Sequence, residues 1–311
     1  MSKVTVVGAG NVGATVANVL AHQDIVREIV LLDIQGDLAR GKALDTWQQA
    51  PIDYYSTRVH GTDDYADTAG SDIVVITAGV PRKPGMSRDD LISTNAKIVN
   101  IVTRSILEHS DSPIIIVVSN PLDVMTYAAH KISGLDASRV FGMAGILDTA
   151  RYRAFLATAL NVSPKDIQAV LMGGHGDTMV PLPRYTTVAG IPVTELIDRA
   201  ELDAIIARTQ TGGGELVKLM GTSAWYAPGA AAAQMVGSIV RDENRIFPCC
   251  ALLTGEYGLS DIFLGVPVKL GKTGISEMIE LQLNDAEMEM LKTSAEHVRG
   301  VIDVFNGMGI V

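Results

Sequence analysis

A glycine-rich turn between an apolar run and a helical pattern constrains this chain more than any other feature. Gly8-Ala9-Gly10-Asn11-Val12-Gly13 follows the run Val4–Val7 and opens a helix predicted over Val12–Gln23. In a G-x-G-x-x-G turn the glycines allow a tight bend, close approach of the backbone to a pyrophosphate, and close packing of helix on strand. The helix N-terminus adds free N–H groups and partial positive charge. Alone the motif is weak, because a structural glycine-rich turn has the same pattern.

Asp33 makes a nucleotide site more specific. It ends the next apolar run, Ile29–Leu32, and lies twenty residues beyond Gly13. A carboxylate at that distance accepts hydrogen bonds from the adenosine ribose and repels a 2′-phosphate, so the predicted cofactor is NAD. A plain turn aspartate is the alternative. Methyltransferases and flavoproteins also use this fold, so these residues leave the class of protein open.

The N-terminal half alternates short Val/Ile-rich runs with helical patterns. Strands are predicted at Val4–Val7, Ile29–Leu32, Ile73–Thr77, Ile114–Val118 and near Arg139–Met143, and further helices at Leu38–Gln49 and Asp89–His109. Continuous apolar strands separated by helices are typical of the α/β class. We therefore predict a Rossmann doubly wound parallel sheet over residues 1–144.

Beyond Gly145 the pattern is less regular and predicts an α+β substrate domain over residues 145–311. Helices are expected at Asp148–Leu160, Glu201–Leu219, Ala230–Val240 and Asp285–Asn306, and extended segments at Ile167–Met172, Leu182–Val193 and Ile262–Lys269. No Pro/Ser-rich linker separates the halves, so we expect them to pack together with a cleft between them.

Composition excludes several classes of protein. A formal net charge of −10 argues against a nucleic-acid surface. No apolar run approaches the length of a membrane span, and glycines interrupt the apolar stretch Val4–Ala21, unlike a signal peptide. The two cysteines, Cys249 and Cys250, are adjacent, which fits a reducing cytoplasm rather than a disulfide scaffold. Clustered His/Cys ligands are absent from the sequence, so no metal is expected.

His175 is the candidate proton acceptor. It lies in Gly173-Gly174-His175-Gly176-Asp177, where the glycines leave the ring uncrowded. An imidazole exchanges protons near neutral pH, and a carbinol hydroxyl must lose its proton when the carbon loses a hydride. A turn histidine without a catalytic role would show the same pattern.

Asp148 and Arg151 lie three residues apart on one face of a predicted helix. Such a pair is usually a surface ion pair. At the start of the second domain, however, the carboxylate could hold one nitrogen of His175, and the guanidinium could grip a substrate carboxylate with two hydrogen bonds.

Two loops follow strands at the edge of the sheet where ligands bind. Val80–Asp90 carries three cations and is either a basic solvated loop or a lid that brings arginines over an anionic substrate. Asn120, in Ser119-Asn-Pro-Leu, could hold a substrate hydroxyl or the nicotinamide end of the cofactor.

With these residues in view, the whole chain resembles the lactate/malate dehydrogenase family. The resemblance rests on segments in family order and spacing: GAGNVG, the terminal Asp33, ITAGVPRKPGMSRDDL, VSNPLDV, GILDTARYR and GGHGDTMVP. It implies that His175 accepts the proton and Asp148 assists it. The implied substrate-binding residues are Arg82, Arg88, Asn120 and Arg151, and Thr222 resembles a pocket threonine. The implied cofactor-binding residues are Gly8, Ala9, Gly10, Asn11, Val12, Gly13, Asp33, Asn95, Val118, Ser119 and Asn120.

Arg82 decides the substrate that the resemblance implies. Lactate-specific relatives usually have glutamine at this position, whereas malate-specific relatives have arginine, which pairs with the second carboxylate. Burying this arginine over pyruvate would leave it unpaired at a cost of several kcal/mol. The implied reaction is NAD-dependent oxidation of (S)-malate to oxaloacetate, a small dicarboxylate. The alternatives are a lactate dehydrogenase and a non-catalytic NAD-binding protein, and a homo-oligomer, dimer or tetramer, is expected.

Overall fold

Residues 2–81 and 86–310 are described by the structure, a computed structural model. The first half forms six strands: β1 Lys3–Val7, β2 Glu28–Leu32, β3 Arg58–Thr62, β4 Ile73–Ile76, β5 Ile114–Val117 and β6 Val140–Gly142. They are connected through α1 Asn11–Gln23, α2 Gly36–Asp53, α3 Arg88–Leu107 and α4 Leu122–Ser133. These six strands are parallel in the order β3-β2-β1-β4-β5-β6, which confirms the predicted doubly wound fold.

The second half adds helices and antiparallel strands. Its elements are α5 Gly145–Leu160, β7 Ile167–Gln168, β8 Leu171–Met172, β9 Val180–Pro181, β10 Thr187–Val188, β11 Ile191–Pro192, α6 Arg199–Met220, α7 Tyr226–Val240, β12 Arg245–Thr254, β13 Ser260–Gly271, β14 Gly274–Met278 and α8 Asp285–Gly307. Short 3-10 turns lie at Tyr65–Thr68, Ala137–Arg139, Pro164–Asp166, Pro183–Tyr185, Val193–Glu195 and Glu256–Gly258.

One sheet runs through both halves of the chain. The long hairpin β12–β13 joins it next to β6, with Cys250 opposite Gly142, and β14 forms the far edge. Both faces of the central strands β4 and β5 are buried, as their unbroken Val/Ile runs require. A smaller core around Tyr152, Leu156 and Leu202 joins α5, α6 and β7. The domain boundary predicted at 144/145 falls between β6 and α5.

Several strands and one helix were not predicted from the sequence. Edge strand β3 reads RVHGT and is too polar to stand out, and α4 begins right after Pro121, within a segment that we had interpreted only as a binding loop. Strand β12 was also not predicted. The segment expected to be one strand at Ile167–Met172 forms two, β7 and β8, which pair in different small sheets.

Candidate active site

The glycine turn after β1 has the shape of a pyrophosphate cradle. Gly8 has a φ of +106°, and a Cβ there would lie 2.7 Å from the Thr77 hydroxyl. A Cβ at Gly13 would lie 1.9 Å from the Gly8 carbonyl oxygen, so these two glycines are required by the turn itself. A Cβ at Gly10 would meet nothing within 4 Å. Gly10 therefore keeps open the space in front of α1 and, as its N-cap residue, has no side chain that could cap the first N–H groups.

Asp33 is anchored beside this turn. Its Oδ2 accepts a hydrogen bond from the Ala9 N–H at 2.6 Å, and its Oδ1 accepts one from the Gln35 N–H at 2.9 Å. The carboxylate remains partly exposed, so its other lone pairs can accept from ribose hydroxyls. These residues fit an adenine dinucleotide that carries a free 2′-hydroxyl.

A cleft of about 260 Å³ continues from the turn along the carboxyl ends of β4 and β5. Its walls are Gly10, Asn11, Val12, Gly13, Thr77, Gly79, Val80, Pro81, Asn95, Val118, Ser119, Asn120, Thr222, Ser223, Ala224 and Trp225. The predicted cofactor residues other than Gly8, Ala9 and Asp33 thus line one continuous groove. Ala9 is buried and contributes through its N–H bond to Asp33.

Asn95 fastens two walls of this groove together. It is 1% exposed, and its Oδ1 accepts from the Val80 N–H at 2.8 Å. Its Nδ2 donates to the carbonyls of Val80 at 3.2 Å and Asn120 at 2.6 Å. Ser119 similarly donates its hydroxyl to the Ala78 carbonyl at 2.6 Å. Both side chains shape the groove by holding its backbone.

His175, Asp148 and Arg151 meet in an adjoining cleft of about 310 Å³, which Val12, Val118 and Asn120 also line. The His175 Nδ1 lies 2.9 Å from the Asp148 Oδ2, and Asp148 is 2% exposed. Because a carboxylate only accepts hydrogen bonds, Nδ1 carries the proton in this contact and Nε2 is left as an acceptor. The predicted proton acceptor and its partner are therefore brought together although they lie 27 positions apart in the sequence.

The charges around His175 favour its protonated form. Burial alone would lower the pKa of His175, and Arg151 lowers it further. The Asp148 carboxylate, through charge and hydrogen bond, and Asp123, through charge, outweigh both and raise the pKa above its ordinary value. The imidazole is thus suited to take up a proton at neutral pH.

Arg151 has donors left over for a ligand. Its Nη1 donates to the Asp148 Oδ1 at 3.3 Å, whereas its Nε is buried without a hydrogen-bond partner among the described residues. A buried donor without a partner is costly unless something binds it. Gly213 and Gly214 of α6 line the same cleft, and a Cβ at Gly213 would lie 3.9 Å from the Arg151 Nη1. These helical glycines keep space beside the guanidinium.

Arg88, the first residue of α3, lies on the other side of His175. Its Nη2 donates to the Nε2 of His297 on α8 at 3.0 Å, in a cleft of about 420 Å³ that His175 also lines. The structure therefore has Arg88 bound to α8. Arg82, the other predicted lid arginine, lies outside the described residues.

Two neighbours of the site were not predicted. Asp123 accepts a hydrogen bond from the His175 backbone N–H, and Ser223 lines both the His175 cleft and the cofactor groove. Thr222, which we expected in the substrate pocket, lines only the cofactor groove. Asp123 lies in the VSNPLDV segment, but nothing in that pattern links it to His175.

Known proteins match this arrangement along the whole chain. Residues 2–142 match the family model for the lactate/malate dehydrogenase NAD binding domain, and residues 146–306 match that for its alpha/beta C-terminal domain. The malate dehydrogenase of Cytophaga hutchinsonii is 64% identical over 307 residues, 98% of each chain.

Solved structures agree. The malate dehydrogenase of Salinibacter ruber has a TM-score of 0.95 at 56% identity, covering 98% of each chain. That of Plasmodium falciparum in complex with NADH has a TM-score of 0.91 at 36% identity, covering 98% of this chain and 99% of the other. In the described part of the chain, no helix combines the length and apolarity that a membrane span needs.

Proposed function

The chain belongs to the lactate/malate dehydrogenase family, and we propose that it catalyses the reversible NAD-dependent oxidation of (S)-malate to oxaloacetate. One observation carries the proposal: the His175–Asp148 pair lies at the end of the cofactor groove, beside a buried Arg151 Nε that has no hydrogen-bond partner among the described residues. The malate dehydrogenases among its relatives support the choice of substrate. Residues 1–144 would hold the cofactor, and residues 145–311 would contribute His175, Asp148 and Arg151 to the substrate site.

In this reaction each residue has a defined task. Arg151 binds the carboxylate next to the reacting carbon, and Asn120 holds the substrate or the nicotinamide end. Asp148 keeps the His175 Nδ1–H in place, so that Nε2 takes the hydroxyl proton of malate. The groove lined by Gly10, Asn95 and Val118 would hold NAD, which would supply the acceptor for the hydride that leaves the hydroxyl-bearing carbon. Arg88 would leave His297 and polarise the carbonyl oxygen of oxaloacetate in the reverse direction.

Arg82 would determine the preference for a dicarboxylate substrate. Oxaloacetate carries a second carboxylate that neutralises this guanidinium, whereas pyruvate would leave it buried without a partner. A site built around such a polar group can reject the analogue lacking its partner by as much as ~10⁴-fold.

The test compares kcat/KM for oxaloacetate and pyruvate in NADH oxidation. We expect a strong preference for oxaloacetate in the natural chain and a shift toward pyruvate in Arg82→Gln. Lys83→Gln is a matched control, because it removes a neighbouring positive charge without a proposed substrate contact. Preference for pyruvate would contradict the substrate assignment, and unchanged discrimination in Arg82→Gln would contradict a direct contact.

We further propose a homo-oligomer, dimer or tetramer. Helix α2 and the residue after it leave large apolar side chains exposed, among them Leu44, Trp47, Ile52 and Tyr54. A helix with such a surface is commonly covered by a partner. Light scattering after size exclusion measures the mass directly, and a monomer at micromolar concentration would contradict this proposal.

A cytoplasmic location completes the proposal. Cys249 and Cys250 are both free and buried, which suits a reducing compartment. Fractionation of cells with an antibody against the chain would test it, and recovery outside the cytoplasm would contradict it.

A further inference from the structure

Asp123 is a buried carboxylate that the mechanism above does not use. It lies in the first turn of α4 and is 7% exposed. Its Oδ2 accepts the His175 backbone N–H at 3.0 Å, and the Cys250 thiol donates to its Oδ1 at 3.3 Å. Neither donor is a cation. A buried carboxylate that forms no ion pair within the described part of the chain is expensive, so its presence beside the proton acceptor needs a reason.

The loop that carries His175 is held from two sides. Asp123 binds the N–H of His175, and Ser294 of α8 accepts the N–H of Gly174 at 2.8 Å. A Cβ at Gly174 would lie 2.7 Å from Val298 and 3.5 Å from the Asp123 Oδ2. The glycine thus allows the loop to approach both elements closely, and the backbone of His175 is fixed independently of its ring.

The charge of Asp123 matters because an imidazolium forms at His175 during malate oxidation. Asp148 lies next to that charge. Its carboxylate, however, also accepts a hydrogen bond from the Arg151 Nη1 at 3.3 Å, and this cation offsets part of its negative charge. Among the described residues, the other ionisable groups that line the clefts beside the ring are Arg88 of α3, Asp177 of the same loop and His297 of α8. Cys250 of β12 lies against Asp123. Burial raises the pKa of the Cys250 thiol well above its usual range, so that thiol stays neutral.

Asp123 and His175 influence each other. Burial raises the pKa of Asp123 above its ordinary value, and the positive charge of His175 offsets part of this effect. The first turn of α4 adds the favourable end of a helix dipole to the carboxylate. The ionised form of Asp123 is therefore most stable when His175 carries its proton.

We propose that Asp123 is a positioning residue for proton transfer: it fixes the His175 backbone and supplies a second buried negative charge that stabilises the imidazolium. Its part in turnover rests on the proposed function, whereas its effect on His175 exists in the protein without any substrate. Asp123 lines neither the cofactor groove nor the cleft that His175 shares with Arg151, so we assign it no direct contact with substrate or cofactor.

Asp123→Asn tests the charge while keeping an oxygen that can accept the His175 N–H. We expect the pH profiles of malate oxidation and oxaloacetate reduction both to move to lower pH by about one unit, because the imidazolium loses a neighbouring negative charge. KM for NADH should stay the same. Asp111→Asn, at the opposite end of the sheet before β5, is the control and should leave both profiles in place.

Direct titration of His175 by NMR in the protein without ligands separates this inference from the proposed function. The His175 pKa should fall in Asp123→Asn even if malate proves not to be the substrate. Cys250→Ala, which removes the thiol donor, should lower it by less, and Cys250→Ser, which keeps a donor, should leave it nearly unchanged.

Two results would overturn the inference. One is a lower kcat in Asp123→Asn with the pH profiles and the His175 pKa unmoved, since that would indicate a purely structural role. The other is a His175 pKa that rises. If Asp123→Asn does not fold, a Cys250→Ala protein with an unshifted His175 pKa would count against it equally.

Discussion

At the scale of single residues, the imidazole of His175 is defined by one occupied nitrogen and one available nitrogen. Its Nδ1 contacts a carboxylate that is almost completely buried, so the ring cannot easily exchange tautomers. The same carboxylate shares its other oxygen with Arg151. The proposed proton acceptor, His175, and the proposed substrate-binding residue, Arg151, are therefore coupled through Asp148.

The raised pKa of His175 predicts opposite pH dependences for the two directions. Malate oxidation needs the neutral ring, so its kcat/KM should rise with pH through a pKa above the ordinary 6.5. Oxaloacetate reduction needs the protonated ring and should fall through the same pKa. His175→Asn should lower kcat by about 10²–10⁴-fold in both directions while NADH still binds.

His109→Asn, at a half-buried histidine two residues beyond the end of α3, is a matched control and should change neither rate. A malate profile that falls as pH rises from 6 to 8 would contradict the assignment of His175 as the base.

At the scale of elements, α3 and α8 are joined across the site. The bond between Arg88 and His297 connects residues 209 positions apart. If Arg88 serves the substrate, this bond must break whenever substrate binds.

His297→Ala should make that step easier. A net hydrogen bond of about 0.5–1 kcal/mol is lost from the form without substrate, so KM for oxaloacetate should fall by about two- to fivefold. His297→Gln keeps an acceptor and should behave more like the natural chain. Steady-state kinetics at fixed NADH measures both, and an unchanged or higher KM in His297→Ala would contradict this role.

The start of α8 also stabilises the site, since this helix carries Ser294 and Val298. Asn284 and Glu287 form a reciprocal cap, and Arg184 donates to both oxygens of Glu287 at 3.0 and 2.7 Å. Glu287→Ala should lower the free energy of unfolding by about 1–3 kcal/mol, whereas Asp285→Ala, in the same turn but exposed, should cost only a few tenths.

This effect should depend on pH with a known sign. The hydrogen bond from Arg184 lowers the pKa of Glu287 below its ordinary value of 4.5. The stabilisation is therefore present above pH 4.5 and is lost as pH falls below it. Urea titrations at pH 7 and at low pH should show the natural chain and Glu287→Ala converging. A constant difference would contradict an ionic contribution.

At the scale of the whole molecule, one sheet connects the cofactor groove with the second half of the chain. Strand β12 continues the sheet beyond β6, and α5 begins where β6 ends, so Asp148 and Arg151 start next to the carboxyl ends of the parallel strands. A bound cofactor and His175 can therefore lie next to each other at the carboxyl edge of this one sheet.

Cofactor binding should raise the thermal stability of the whole chain. NADH at a hundred times its Kd stabilises a protein by about 2.7 kcal/mol, which amounts to a rise in Tm of several degrees. NADPH should raise Tm much less, because its 2′-phosphate would meet the Asp33 carboxylate. Thermal denaturation with each nucleotide measures this, and equal shifts would contradict the role of Asp33.

Local patterns were sufficient for much of this architecture. The Val/Ile runs of β1, β2, β4 and β5 indicate buried parallel strands because both their faces must be apolar, and the glycine turn requires a particular backbone whatever surrounds it. Edge strand β3 has no such requirement, since one side of it faces solvent and its sequence is free to be polar.

Contacts between residues far apart in the sequence could not be predicted from such local patterns. Asp123 lies 52 positions from His175, and Thr222 and Ser223 are adjacent although only the second faces the proton acceptor. Sequence periodicity records which side of a strand or helix is buried, because burial acts on every turn of that element. Which side chains meet across a cleft depends on how α4, α5, α8 and β12 pack, and that packing is a property of the folded chain as a whole.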